Sequence, residues 1–208
     1  MTLSRKKRGF TLFELLIVIV VIGILTAGMF IAASEMEATA RAAQIINDLR
    51  MLKVASEHWF FDNSLNIVEA PSNASDKGYH LRINGKDERL HDVLQSDAYG
   101  VKNYISNPNF ALNTGKKDDW KNMYAAVGGY SVYVGFSNTV CYVACRISGD
   151  DKKRDYSRLR EKLKGKTKSA GLVFYDYNGG NQRETAYNGE NFVCMRSFVL
   201  DDSKLKTK

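Results

Sequence analysis

Between Phe10 and Ala33 lie 24 residues that carry one ionisable side chain, Glu14. As a helix rising ~1.5 Å per residue this run is roughly 36 Å long, enough to cross a hydrocarbon core of ~30 Å with some tilt. Arg5, Lys6, Lys7 and Arg8 stand immediately before it, and the first charges after it, Glu35 and Glu37, are acidic. The bias of basic residues toward the cytoplasmic side then places the N-terminus in the cytoplasm and everything beyond residue 34 outside it. An ordinary secretory signal also opens with a basic and then an apolar region, and Ala32-Ala33-Ser34 has the small residues of a cleavage site. Its apolar core is shorter, however, and holds no carboxylate.

The 208-residue chain has a net charge of +7, which by itself would suggest an anionic partner. Four of those charges belong to the leader, and without residues 1–9 the balance is 26 basic against 23 acidic residues. A chain so balanced gives little global reason to expect a polyanion.

A lone carboxylate inside a membrane helix costs roughly 2.5–3.5 kcal/mol on insertion scales. Glu14 is close enough to the cytoplasmic end to reach the interface, which would make it tolerated. A functional role needs a cation, and cutting between Gly9 and Phe10 creates one, the α-ammonium of Phe10, which a staggered neighbouring chain can present to Glu14. The segment Gly9-Phe10-Thr11-Leu12-Phe13-Glu14-Leu15-Leu16-Ile17-Val18, behind its basic leader, closely resembles the prepilin cleavage and methylation motif of type IV pilins and type II secretion pseudopilins. The resemblance covers about residues 5–60. It implies cleavage after Gly9 and methylation of Phe10 by prepilin peptidase, with Arg5, Lys6, Lys7 and Arg8 serving leader recognition and topology and Phe10 and Glu14 serving assembly. Many type IV pilins carry a helix-bending proline where this chain has Ile31. Gly23 and Gly28 can loosen the helix instead, each costing about 1 kcal/mol relative to alanine. They also form small-residue spacings with Ala27 and Ala32 that let helices approach closely.

Beyond the membrane, Ser34 to Asp62 contains neither proline nor glycine, so the helix continues. Ala42, Ile45, Leu49, Leu52, Ser56 and Trp59 recur every three or four residues as a mostly apolar stripe, opposite Arg41, Asp48, Arg50, Lys53 and Glu57. Glu37 and Arg41 are spaced for an ion pair. Residues 63–128 read as an irregular region with a short helix capped by Asp87, in which Leu90, Val93 and Leu94 share a face; Asn84-Gly85 is one of its turns. Four strands are expected at Tyr130–Phe136, Val140–Ile147, Leu172–Tyr177 and Phe192–Leu200, the first with the alternation of a half-buried strand. The fold class is α+β: a long N-terminal spine helix, half membrane and half amphipathic, packed on an antiparallel sheet of about four strands with helical inserts. The expected divisions are a leader at 1–9, a membrane and filament-core helix at 10–33, its amphipathic continuation at 34–62, and an extracytoplasmic head at 63–208.

On one strand, Cys141 and Cys145 point the same way about 13 Å apart, too far for a bridge. That leaves Cys194 with Cys145 or Cys141, and the resemblance implies a C-terminal disulfide loop. A metal held by Cys141 and Cys145 is the rival, on a spacing that is not specific. Residues 150–168 read as a basic helix in which Leu159 and Leu163 form a docking face. Arg158, Arg160 and Lys162 make it a candidate anion-binding patch for DNA or an acidic surface, against the plainer reading of a solvated element. Asp176-Tyr177-Asn178-Gly179-Gly180-Asn181 suggests either a calcium loop or a hairpin turn, and a turn explains the same residues with less. No catalytic constellation, metal site or cofactor motif stands out, and His58, His80 and His91 are scattered.

The resemblance therefore implies a structural, non-enzymatic subunit of a type IV pilus or type II secretion filament. It would be held in the bacterial inner membrane as a single-pass precursor and then assembled into an extracytoplasmic filament. Its partners would be homologous pilin subunits, prepilin peptidase and the inner-membrane assembly platform; nucleic acid has only the weak support of the basic patch. The alternative is a signal-anchored or secreted binding domain, or a DNA-binding minor pilin.

Overall fold

A computed structural model describes residues 10–70, 78–107, 110, 112, 129–135, 140–147, 156–178, 181–184 and 192–200. Helix α1 (Leu12–Asn63) is a single helix of 52 residues. Its apolar half is exposed at residues 12–30, 32 and 33, and burial begins at Ser34 and Glu35. From there the expected stripe is the contact: Ala42, Ile45, Leu49, Leu52, Ser56 and Trp59 are all buried. Arg41 and Glu37 pair at 2.7 Å as their spacing requires. Asp48 departs from the solvent face assigned to it. It is half-buried and accepts a 2.5 Å hydrogen bond from Tyr130 Oη, tying the spine to the sheet.

A 3-10 turn at Ser64–Asn66 leads into β1 (Ile67–Glu69), which joins β2 (Tyr79–Ile83) and β3 (Lys86–Arg89) in an antiparallel sheet ordered β1-β2-β3. Asn84 and Gly85, at φ 50° and 79°, make the two-residue left-handed turn that closes the β2–β3 hairpin. This small sheet occupies the first part of the region 63–128 expected to be irregular, of which residues 71–77, 108–109, 111 and 113–128 lie outside the described ones. Asp87 caps no helix; it lies in β3 opposite Arg82, whose guanidinium donates to both carboxylate oxygens at 2.8 and 3.1 Å. The wholly polar Lys86–Arg89 becomes a strand because the turn folds it back on β2, a tertiary effect that overrides its weak strand propensity. Leu90, Val93 and Leu94 of α2 (Leu90–Leu94) are buried on one face, as expected.

The main sheet contains β4 (Tyr130–Gly135), β5 (Val140–Arg146), β6 (Leu172–Asn178), β7 (Asn181–Glu184) and β8 (Phe192–Val199), antiparallel throughout and ordered β4-β5-β8-β6-β7. All four expected strands are present, and β7 is the second arm of a hairpin where only a turn was read. One face packs on α1. The other carries a second apolar cluster of Tyr133, Val140, Tyr142, Ala144, Phe192 and Cys194. Strand β4 is accordingly not half-buried, since Ser131 and Tyr133 are covered as well as Tyr130 and Val132.

Where the spine meets β8, the β5–β8 register shifts between Val140 and Tyr142, so Cys141 faces both Ser197 and Phe198. Such a bulge turns two successive side chains toward one side. Here Ser197 Oγ lies 2.6 Å from the buried Ser56 Oγ, and Phe198 stacks on Phe60 with centroids 4.4 Å apart. Trp59, fully buried, donates its indole N–H to Tyr99 O at 2.7 Å. Helices α3 (Ser157–Lys164) and α4 (Thr167–Ala170) complete the head, with Leu159 and Leu163 buried as their spacing suggested.

Candidate functional site

The start of α1 is built by a capping box. Thr11, extended at φ −79° and ψ 151°, accepts from Glu14 N through its hydroxyl at 3.2 Å. In return Glu14 Oε2 accepts from Thr11 N at 2.8 Å and from the Thr11 hydroxyl at 2.9 Å. A Thr-x-x-Glu sequence satisfies two of the amide donors that every helix start leaves open. The signal was present in the sequence and missed, because Glu14 was weighed only against lipid and against a neighbouring chain.

Thr26 completes the pattern by donating its hydroxyl to Ile22 O at 2.7 Å. Thr11, Glu14 and Thr26 are the only polar side chains between Phe10 and Ala33, and each is satisfied within the helix. A lipid environment demands this, since it offers no other partner. Around them the apolar side chains stand open, with Phe10 81% and Phe30 71% exposed. Among the described residues, α1 is the one helix long and apolar enough to cross a membrane. Gly23 and Gly28 lie on open faces, with nothing within 4 Å of the position a Cβ would take. Gly9 and the leader cations Arg5, Lys6, Lys7 and Arg8 lie outside the described residues.

The basic candidates meet the spine where the apolar run ends. Lys162 Nζ is 2.7 Å from Glu35 Oε2, and Arg158 donates to Ser34 Oγ. The hydrogen bond and charge of Lys162 hold the Glu35 carboxyl below the usual glutamate range. Two of the three residues nominated for anion binding are therefore engaged with α1, and Arg160 is half-buried beside them.

The disulfide expectation fails. All three cysteines are unbonded and buried. Register explains why: Ala144 pairs with Cys194, which puts Cys194 on the outer face, while Cys141 and Cys145 lie in the core under α1. A sheet thus separates Cys194 from both candidate partners. Burial pushes the Cys145 thiol up to about 12 and raises Cys141 as well, so neither is a ready thiolate. No cluster of three or more metal-ligating side chains occurs among the described residues. Asp176 and Asn178 lie in β6, with Asn178 paired to Asn181 of β7, the register of a hairpin whose two turn residues fall outside the described ones.

Residues 4–30 match the protein-family model for the prokaryotic N-terminal methylation motif. The match takes in the leader cations, Gly9, Phe10, the Thr11–Glu14 capping box and most of the exposed half of α1. No curated protein and no solved structure matches the chain.

Proposed function

This chain carries the N-terminal methylation signature of type IV pilins and pseudopilins, and from that premise we propose that it is a structural subunit of a helical filament, a type IV pilus or a type II secretion pseudopilus. Prepilin peptidase cuts between Gly9 and Phe10 and methylates Phe10. Residues 10–33 hold the precursor in the membrane and later become the filament core, 34–62 carry the head, and 63–208 form its extracytoplasmic body.

The observation that carries this reading is the division of α1 into an apolar half whose described side chains are exposed and a half packed on the sheet. Exposed apolar area costs about 25 cal/mol per Å² in water, so the first half needs cover at every stage. Lipid provides it before assembly, and the same half of neighbouring subunits provides it afterwards. Contacts of this head-to-tail kind repeat without closing and generate a helical filament.

Removing the leader also frees a cation at Phe10. Glu14 already accepts from Thr11 at the helix start, and a carboxylate has acceptor capacity beyond two hydrogen bonds. It can keep its capping role while meeting the ammonium of an adjoining subunit. N-terminal sequencing of the mature protein tests the proposal: N-methylated phenylalanine at residue 10 is expected. An intact Met1 would instead indicate a signal-anchored domain, and a start near Ser34 a secreted one.

A further inference from the structure

We propose that the α3–α4 edge of the head docks on the anionic phospholipid surface of the membrane that holds α1. The inference rests on the membrane placement of residues 10–33 proposed above and adds a second, reversible attachment. Two residues one turn apart on α3, Arg158 and Lys162, reach neighbouring residues of α1, Ser34 and Glu35. The apolar run ends one residue earlier, at Ala33. Helix α3 is therefore held at the level where hydrocarbon gives way to headgroups, within the ~10 Å over which exposed charges act at moderate ionic strength.

The charge of this edge is predominantly positive. Arg158, Arg160, Lys162, Lys164, Lys166 and Lys168 face a single acid within α3 and α4, Glu161. The two spine acids at this level are already matched, Glu35 by Lys162 and Glu37 by Arg41, both at 2.7 Å. Counting Arg41, seven cations against three acids leave four net positive charges on α3, α4, the turn between them and the adjoining turns of α1. Lys166 and Lys168 are exposed. Leu159 and Leu163, by contrast, are turned into the protein core. The edge consequently has charge and no apolar face to offer, so its attraction to a bilayer is electrostatic and screened by salt, unlike that of an inserting amphipathic helix. The bilayer is favoured over nucleic acid because α1 delivers it to this edge, and no aromatic residue is interleaved for base stacking between Ser157 and Ala170.

The test uses the full chain in nanodiscs of phosphatidylcholine with or without phosphatidylglycerol, reading amide hydrogen exchange over residues 157–170. Slower exchange in the phosphatidylglycerol discs is expected, with the difference abolished in ~1 M salt, where screening acts within about 3 Å. In the double variant Lys166→Gln, Lys168→Gln, the docked-to-free ratio should fall on the order of fivefold per lysine. Lys102→Gln, which removes a cation in the salt bridge with Asp97 elsewhere on the head, should leave it unchanged. Equal exchange in both lipids would overturn the docking, as would equal protection in phosphatidylcholine discs by inorganic phosphate or by a DNA duplex. Co-elution of the chain with the disc reports membrane insertion separately. Loss of co-elution defeats the membrane placement together with the docking, whereas co-elution with equal exchange defeats the docking alone.

Discussion

Glu14 caps the start of α1, and single substitutions can separate that role from its proposed pairing with a neighbouring subunit's Phe10 ammonium. Glutamine also fits the reciprocal position of a capping box. Glu14→Gln therefore keeps an acceptor for the Thr11 N–H while removing the charge that a neighbour's Phe10 ammonium would meet. We expect Glu14→Gln to be cut normally after Gly9 and to lose filament assembly, read by N-terminal sequencing and by electron microscopy of sheared surface material. Thr11→Ala is the complementary variant: it removes the cap hydroxyl, weakens the helix start by about 1 kcal/mol and should still assemble. Filaments of Glu14→Gln in normal yield would assign the carboxylate to capping alone.

At the scale of elements, the junction between α3 and the spine depends on pH. Glu35 is held below its ordinary range by Lys162, so the folded protein releases the proton more readily than the unfolded chain does. The pair stabilises the junction fully above the ordinary glutamate value of about 4.3 and loses that contribution as pH falls through the depressed folded value. Corrected for the acid slowing of intrinsic exchange, amide protection in α3 should fall on acidification through that window, and Glu35→Gln should remove the dependence. A wild-type profile unchanged across the window would mean that Leu159 and Leu163 alone hold α3 in place. The same elements show what was legible beforehand. Apolar residues at steps of three and four marked the buried stripe of α1 and the docking face of α3, since a helix has one inward side. The strand Lys86–Arg89 and the helix-cap reading of Asp87 were beyond such reasoning, because strand pairing joins residues that no local period connects.

Over the whole molecule, the head is held together by packing and hydrogen bonds, with no cross-link between its described cysteines. Purified without reductant, the folded protein should resist alkylation at Cys141, Cys145 and Cys194. After unfolding in denaturant it should take up three alkyl groups, read by intact mass, and its melting temperature should not change with dithiothreitol. A mass two hydrogens lighter before alkylation, with only one group added, would demonstrate a bridge. The disulfide expectation rests on the cysteine spacing, on an extracytoplasmic head and on the resemblance, and the fold opposes it by placing the β-sheet between the thiols. Elsewhere large-scale and local order agree: the apolar run ends at Ala33, and the head begins to cover α1 at Ser34.

The sequence by itself determined the long helix, its division into an apolar half and a half that packs on the head, the positions of four strands and the N-terminal methylation motif. Each of these rests on local chemistry: apolar run length, residue spacing, β-branched and aromatic segments, and a carboxylate behind a basic leader. Tertiary structure alone decided which face each cysteine occupies, the bulge that brings Ser197 and Phe198 together on the spine, and the pairing of Lys162 with Glu35 beside the end of the apolar run. Those outcomes depend on register and on contacts between residues more than a hundred positions apart, and a side chain's own neighbours in the chain carry no record of them.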